Sequence, residues 1–109
     1  MPNTDQVSPF SDSEIESSLE LLKRWHGRSK LSTASREHIV RLIDLNQLRC
    51  VPVCGAAAIF GVSISTLRGY MRSGVVRHAD VYKNDTFIFN VAELRERRLR
   101  RRAGKKQGL

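Results

Sequence analysis

Fifteen consecutive residues constrain this chain more than any other stretch: Ala56-Ala57-Ala58-Ile59-Phe60-Gly61-Val62-Ser63-Ile64-Ser65-Thr66-Leu67-Arg68-Gly69-Tyr70. Two helices cross steeply only where the residue at the crossing is small, and Ala57 meets that need. Gly61, four residues on, tolerates the positive φ of a tight bend. Val62 is placed to plug the turn and Ser63 to cap the second helix, while Leu67 and Tyr70 face back to Ala56 and Phe60. The segment predicts a helix over 55–60, a turn over 61–63 and a second helix over 64–72, ended by Gly74.

The flanks carry helix and strand signals of their own. Ser11 or Asp12 can cap a helix over 13–26 whose Ile15, Leu19, Leu22 and Trp25 recur at helical spacing. Lys23, Arg24 and His26 complement the C-terminal end of its dipole, and Gly27 stops it. After a loop at 29–35, Thr33 or Ser35 begins a second amphipathic helix ending near Arg49, with Ile39, Leu42, Ile43 and Asn46 on one face. Cys50-Val51-Pro52-Val53 is short, β-branched and proline-containing, hence a connector or a brief edge strand. Val75 to Phe89 alternates around Lys83-Asn84-Asp85, a hairpin signal that assigns Tyr82, Phe87 and Phe89 to the core. Asn90 and Glu93 have capping-box spacing for a helix from Val91 through Leu94 and Leu99, which dissolves at Arg100-Arg101-Arg102. The expected class is mainly α with a small β-hairpin: a winged helix-turn-helix preceded by two amphipathic helices. The chain divides into a disordered acidic arm (1–10), a helical segment (11–50), the winged unit (51–99) and a basic tail (100–109). The apolar faces of the first two helices supply either a dimer face or the completion of a small monomeric core.

Charge indicates the class of partner. The 109 residues carry 19 Lys and Arg against 11 Asp and Glu, a net charge of +8. Residues 1–20 hold five acids (Asp5, Asp12, Glu14, Glu16, Glu20) and no base, so the rest holds 19 bases against six acids. A basic body of this size points to a polyanion. No apolar run reaches the ~20 residues of a membrane span, and the N-terminus lacks the order of a secretory signal. Cys50 and Cys54 are the only cysteines, which fits a reducing compartment, so a cytoplasmic, nucleoid-associated location is expected. His26, His38 and His78 lack ligand spacing, and no nucleophile triad, carboxylate pair or phosphate loop is present. The expectation is a non-enzyme with no metal and no cofactor.

The run Val51-Pro52-Val53-Cys54-Gly55-Ala56-Ala57-Ala58-Ile59-Phe60-Gly61-Val62-Ser63, continued by Ser65-Thr66-Leu67-Arg68 and Ser73-Gly74-Val75-Val76, resembles the opening of MerR-like and phage excisionase-like winged-helix domains. The resemblance covers about Val51 to Arg98. Pro52 and Gly55 stand where those domains often place a hydroxyl cap and a Glu, and Gly69 replaces a bulkier residue. No long coiled coil follows, which favours the excisionase-like or small phage-regulator branch. The resemblance implies binding to double-stranded DNA.

With the second helix in a major groove, its outward positions are Ser63, Ile64, Ser65, Arg68, Gly69 and Arg72. Arg68 is the candidate for base readout, since a guanidinium can bind O6 and N7 of guanine together. Ser65 and Thr66 reach bases or phosphates, Arg72 and Arg77 phosphates, and Lys83 at the hairpin tip a minor groove or a phosphate. Gly69 lets the helix backbone approach DNA closely or is a tolerated surface glycine. Arg98, Arg101 and Arg102 belong to a run extending to Lys106 whose charge repels itself, frays when unbound and orders on phosphates. A nuclear-import signal or an RNA-binding arm has the same composition. Three functions share this module: a transcriptional regulator, chiefly a repressor, reading an operator as a homodimer; an excisionase-type factor that bends DNA as a head-to-tail oligomer; and a DNA-packaging recognition subunit. The first is preferred, with the N-terminal helices as a further protein-contact surface.

Overall fold

The computed structural model describes the backbone of residues 9–107 and the side chains of residues 9–100. The expected acidic arm therefore lies outside the described residues except for Pro9 and Phe10, as do the side chains of Arg101 and Arg102. Five helices surround a small antiparallel sheet: α1 (Asp12–Leu22) with a 3-10 turn (Lys23–Trp25), α2 (Thr33–Leu45), β1 (Cys50–Val51), α3 (Val53–Phe60), α4 (Ile64–Ser73), β2 (Asp80–Tyr82), a 3-10 turn (Lys83–Asp85), β3 (Thr86–Asn90) and α5 (Val91–Gln107).

The arm does not extend to residue 10. Phe10 is buried with Ile15, Cys50 and Ile88. Ser11 is the N-cap of α1 and forms a reciprocal capping box with Glu14. Phe10 is thus the residue before the cap and Ile15 the fourth helical residue, the pairing of a hydrophobic staple. It fixes where the chain enters the fold. Next along the buried face of α1 sits Ser18, fully buried, whose hydroxyl has no hydrogen-bond partner among the described residues.

The second helix starts at Thr33, one of its two expected starts, and stops earlier than its apolar spacing predicts. Its cap is Ser32, whose hydroxyl accepts the Ser35 N–H. It ends at Leu45 because Asn46 folds back, its side-chain amide donating to the Leu42 carbonyl, and Gln47 takes a positive φ of 50°.

The expected hairpin is the outer part of a three-stranded sheet, of order β1-β3-β2. Cys50 pairs with Asn90 and Val51 with Phe89, while Asp80, Val81 and Tyr82 pair with Ile88, Phe87 and Thr86. Side chains alternate across a strand, and both sheet faces are covered. Cys50 and Ile88 face the cluster of Phe10 and Ile15. Val51 and Phe89 face the main cluster, which joins Leu22, Trp25, Ile39, Ile43, the buried residues of α3, Leu67 and Leu94. The apolar faces of α1 and α2 are thus consumed inside one chain. They complete a core and are not open to serve as a dimer face.

α5 departs from expectation at its far end. Asn90 Oδ1 accepts the Glu93 N–H and starts the helix, and the backbone stays helical through Gln107 instead of breaking at Arg100. Arg and Lys are good helix formers, and Glu93–Arg97 and Glu96–Arg100 contacts at i,i+4 offset part of the repulsion.

Candidate nucleic-acid interface

The site is built on the bend between α3 and α4. α3 begins without a side-chain cap at Pro52, and its residues from Cys54 to Phe60 are all buried. It ends at Gly61, φ 71°, where the Val62 N–H reaches the Ala57 carbonyl and the Gly61 N–H the Ala58 carbonyl, a Schellman closure. α4 leaves at 92° to α3. Ser63 caps it, its hydroxyl accepting the Thr66 N–H. Gly74, φ 83°, ends it with the same two-bond closure, Val75 to Tyr70 and Gly74 to Met71. Leu67 is buried against α3, and the Tyr70 and Phe60 rings lie 5.8 Å apart between centroids. Ile64 departs from its expected outward position and is 2% exposed. Its N–H donates to the Ser29 carbonyl, so the segment leading into α2 covers the start of α4.

The outward face of α4 is therefore Ser65, Thr66, Arg68 and Arg72, all exposed, with Gly69 half-buried between the arginines. Arg68 and Arg72 are one turn apart and share a face. A Cβ placed on Gly69 would meet only Arg72 Nη2, at 3.9 Å, so nothing inside the chain requires glycine there. Ser63 is turned inward as a cap, its hydroxyl also donating to Thr66 Oγ1. Arg77 is exposed beyond Gly74 and shares a shallow, largely apolar groove with Arg72, Val76, His78 and Phe87.

Ion pairing separates the basic residues. Lys23, Arg49, Lys83, Arg95, Arg97 and Arg100 each have a carboxylate partner, respectively Glu20, Glu14, Glu16, Asp44, Glu93 and Glu96. Arg68, Arg72, Arg77 and Arg98 have none among the described residues. Lys83 lies exposed at the hairpin tip. Its ammonium lies 4.0 Å from Glu16 and over the Tyr82 ring, and the Tyr82 hydroxyl donates to the same carboxylate. Arg68 lines a cleft with Ile64, His26, Gly27 and the hairpin residues Asn84, Asp85, Thr86 and Phe87.

Sequence reasoning missed Arg28 and Lys30. Both are exposed and without an ion pair among the described residues, and both flank Ser29, whose carbonyl holds the start of α4. No local signal reveals this, because the bond joins positions 29 and 64.

Other chemistry is sparse. Burial pushes the Cys50 thiol up to about 11 and the Cys54 thiol up to about 12, the reverse of what an activated nucleophile needs. Among the described residues no cluster of three or more His, Cys, Asp or Glu side chains could hold a metal ion. Among the described residues no single helix is long and apolar enough to cross a membrane. No protein-family model, curated protein or solved structure matches the chain.

Proposed function

We propose that this chain is a sequence-specific DNA-binding transcriptional regulator of winged helix-turn-helix type, a repressor of the phage or mobile-element kind acting as a homodimer. In this reading α3 and α4 form the helix-turn-helix, α4 enters the major groove and the β2–β3 hairpin is the wing. One observation carries the reading. The outward face of α4 presents Arg68 and Arg72 one turn apart, both exposed and without an ion-pair partner among the described residues. The 92° bend supports it, because it lifts that face clear of α3. So does Gly69, which leaves room for the helix backbone to approach a surface from outside.

Arg68 is assigned to base readout, Arg72 and Arg77 to phosphates, and Ser65 and Thr66 to either. Lys83 keeps its proposed contact with a minor groove or a phosphate, since its side chain is 73% exposed and its ion pair with Glu16 is 4.0 Å long. Footprinting on DNA flanking the gene, with binding repeated over a salt series, tests the reading. A protected inverted repeat over a promoter is expected of a homodimeric regulator; protected direct repeats with bent DNA identify a recombination factor instead. Arg68→Ala should cost about 1–3 kcal/mol on the preferred site and relax its selectivity, whereas Arg72→Ala should weaken all DNA alike. Equal, sequence-blind losses from both refute the assignment of Arg68.

A further inference from the structure

We infer that residues 26–30 form a second DNA-contacting element, a phosphate clamp beside the amino end of α4, in which Arg28 and Lys30 hold the backbone flanking the groove that α4 enters. The inference rests on the DNA-binding reading above and adds residues that lie outside the helix-turn-helix and its wing.

The segment is short and fixed at both ends. Trp25 and Leu31, on either side of it, are buried in the main core. Gly27 turns the chain with a φ of 85°, and the Arg28 N–H returns to the Trp25 carbonyl. Arg36 Nη1 donates to the Leu31 carbonyl at 2.7 Å, which holds the far end. In the middle the Ser29 carbonyl accepts the Ile64 N–H at 3.1 Å. That N–H belongs to the first turn of α4, where donors have no partner within their own helix. The bond ties the segment to the end of α4 that meets base edges when such a helix lies in a major groove. His26 and Gly27 line the same cleft as Arg68, so the segment and the readout arginine share one surface.

The side chains on this anchored backbone suit a polyanion. Residues 26–30 are all exposed, and Arg28 and Lys30 have no ion-pair partner among the described residues. Asp85 is the acid among the residues lining the cleft of His26, Gly27 and Arg68, and it forms no ion pair with Arg28 or Lys30. Two mobile cations on a fixed backbone touch phosphates at little ordering cost and carry no sequence information, which is the division of labour expected of positioning contacts.

The test is the slope of log K against log salt. Each phosphate neutralised contributes about −0.9 on duplex DNA, so the double variant Arg28→Gln/Lys30→Gln should have a slope shallower by about 2. Its affinity deficit should shrink roughly tenfold between 50 and 200 mM salt, with the preference between specific and mismatched sites unchanged. Lys23→Gln/Arg41→Gln removes the same net charge from the 3-10 turn after α1 and from α2, and serves as the control. An unchanged slope in the first variant, while the Arg68→Ala effect persists, overturns the clamp and leaves the DNA-binding reading intact. Equal changes in both variants assign the effect to overall charge and also overturn it. Failure of the unaltered chain to bind duplex DNA removes both proposals. Both variants change exposed side chains only, and unchanged circular dichroism confirms that they fold.

Discussion

Replacing Gly55 by alanine should destabilise the protein, and the same exchange at Gly69 should stabilise it. Both glycines are helical, and alanine is worth up to about 1 kcal/mol over glycine in a helix. Their surroundings differ. A Cβ at Gly55 would lie 2.6 Å from Val51 Cβ and 3.0 and 3.1 Å from the two Val51 γ-carbons, whereas at Gly69 the nearest atom is 3.9 Å away at the end of a flexible arginine. Carbon pairs are comfortable at about 3.5–4.0 Å, so α3 and β1 must separate by roughly 1 Å at position 55. Val51 is fully buried and held in register with Phe89, so the strand resists. Overpacking of this kind costs about 1–3 kcal/mol, and the upper end applies because the closest contact is made by a Cβ, which no rotamer change can move. Gly55→Ala should therefore lose a net ~2 kcal/mol, lowering Tm by roughly 8–16 °C. Gly69→Ala should raise Tm by roughly 4–8 °C. Val51→Ala should not rescue Gly55→Ala, because alanine keeps the clashing Cβ. Urea and thermal denaturation followed by circular dichroism measure all four proteins. A Gly55→Ala protein as stable as the original would refute the close-approach argument.

Three further outcomes follow from packing and burial. Ser18→Ala removes a buried hydroxyl with no partner among the described residues and should raise stability by about 1 kcal/mol in the same assay; a loss would reveal a hydrogen bond to that oxygen. Phe10→Ala should cost about 3 kcal/mol, the low end for a buried phenylalanine because Phe10 packs in the smaller of the two clusters; a loss under 1 kcal/mol would show that the staple does not hold. The cysteines give a pH dependence. Their folded pKa values lie above the unfolded value of about 9, so the unfolded state loses its thiol protons first and stability falls as pH rises from about 9 through the folded values of about 11 and 12. At pH 8 a thiol reagent should modify neither residue in the native protein and both in denaturant; rapid native labelling would contradict the burial.

Local signals were legible and distant ones were not. Gly61 and Gly74 adopt the positive φ their positions demanded, and Ser63 and Asn90 cap the helices they precede, because each of these choices is settled within a few residues. The staple of Phe10 and Ile15 around Ser11 and Glu14 was equally local and went unread, masked by the acidic composition of the arm. The central place of β3 was out of reach, since Cys50 and Asn90 are adjacent only once the chain has folded. For the same reason no pattern near Lys83 reveals its neighbour Glu16, which belongs to α1. Ile64 was placed outward from helix periodicity alone. Its burial depends on the segment around Ser29, which no pattern near residue 64 reveals.

The strand order also sets a schedule for the growing chain on the ribosome. β1 is an edge whose neighbour, β3, is translated after both α3 and α4. Until Asn90 emerges, Val51 and Cys50 have no sheet to join, and the helices already made lack the Phe89 side chain that unites their core. Pairing across so long an interval is slow and leaves apolar surface uncovered meanwhile. The arginine-rich half of α5 is made only after the closing strand. The most highly charged helix thus follows, in order of synthesis, the strand that closes the body carrying it.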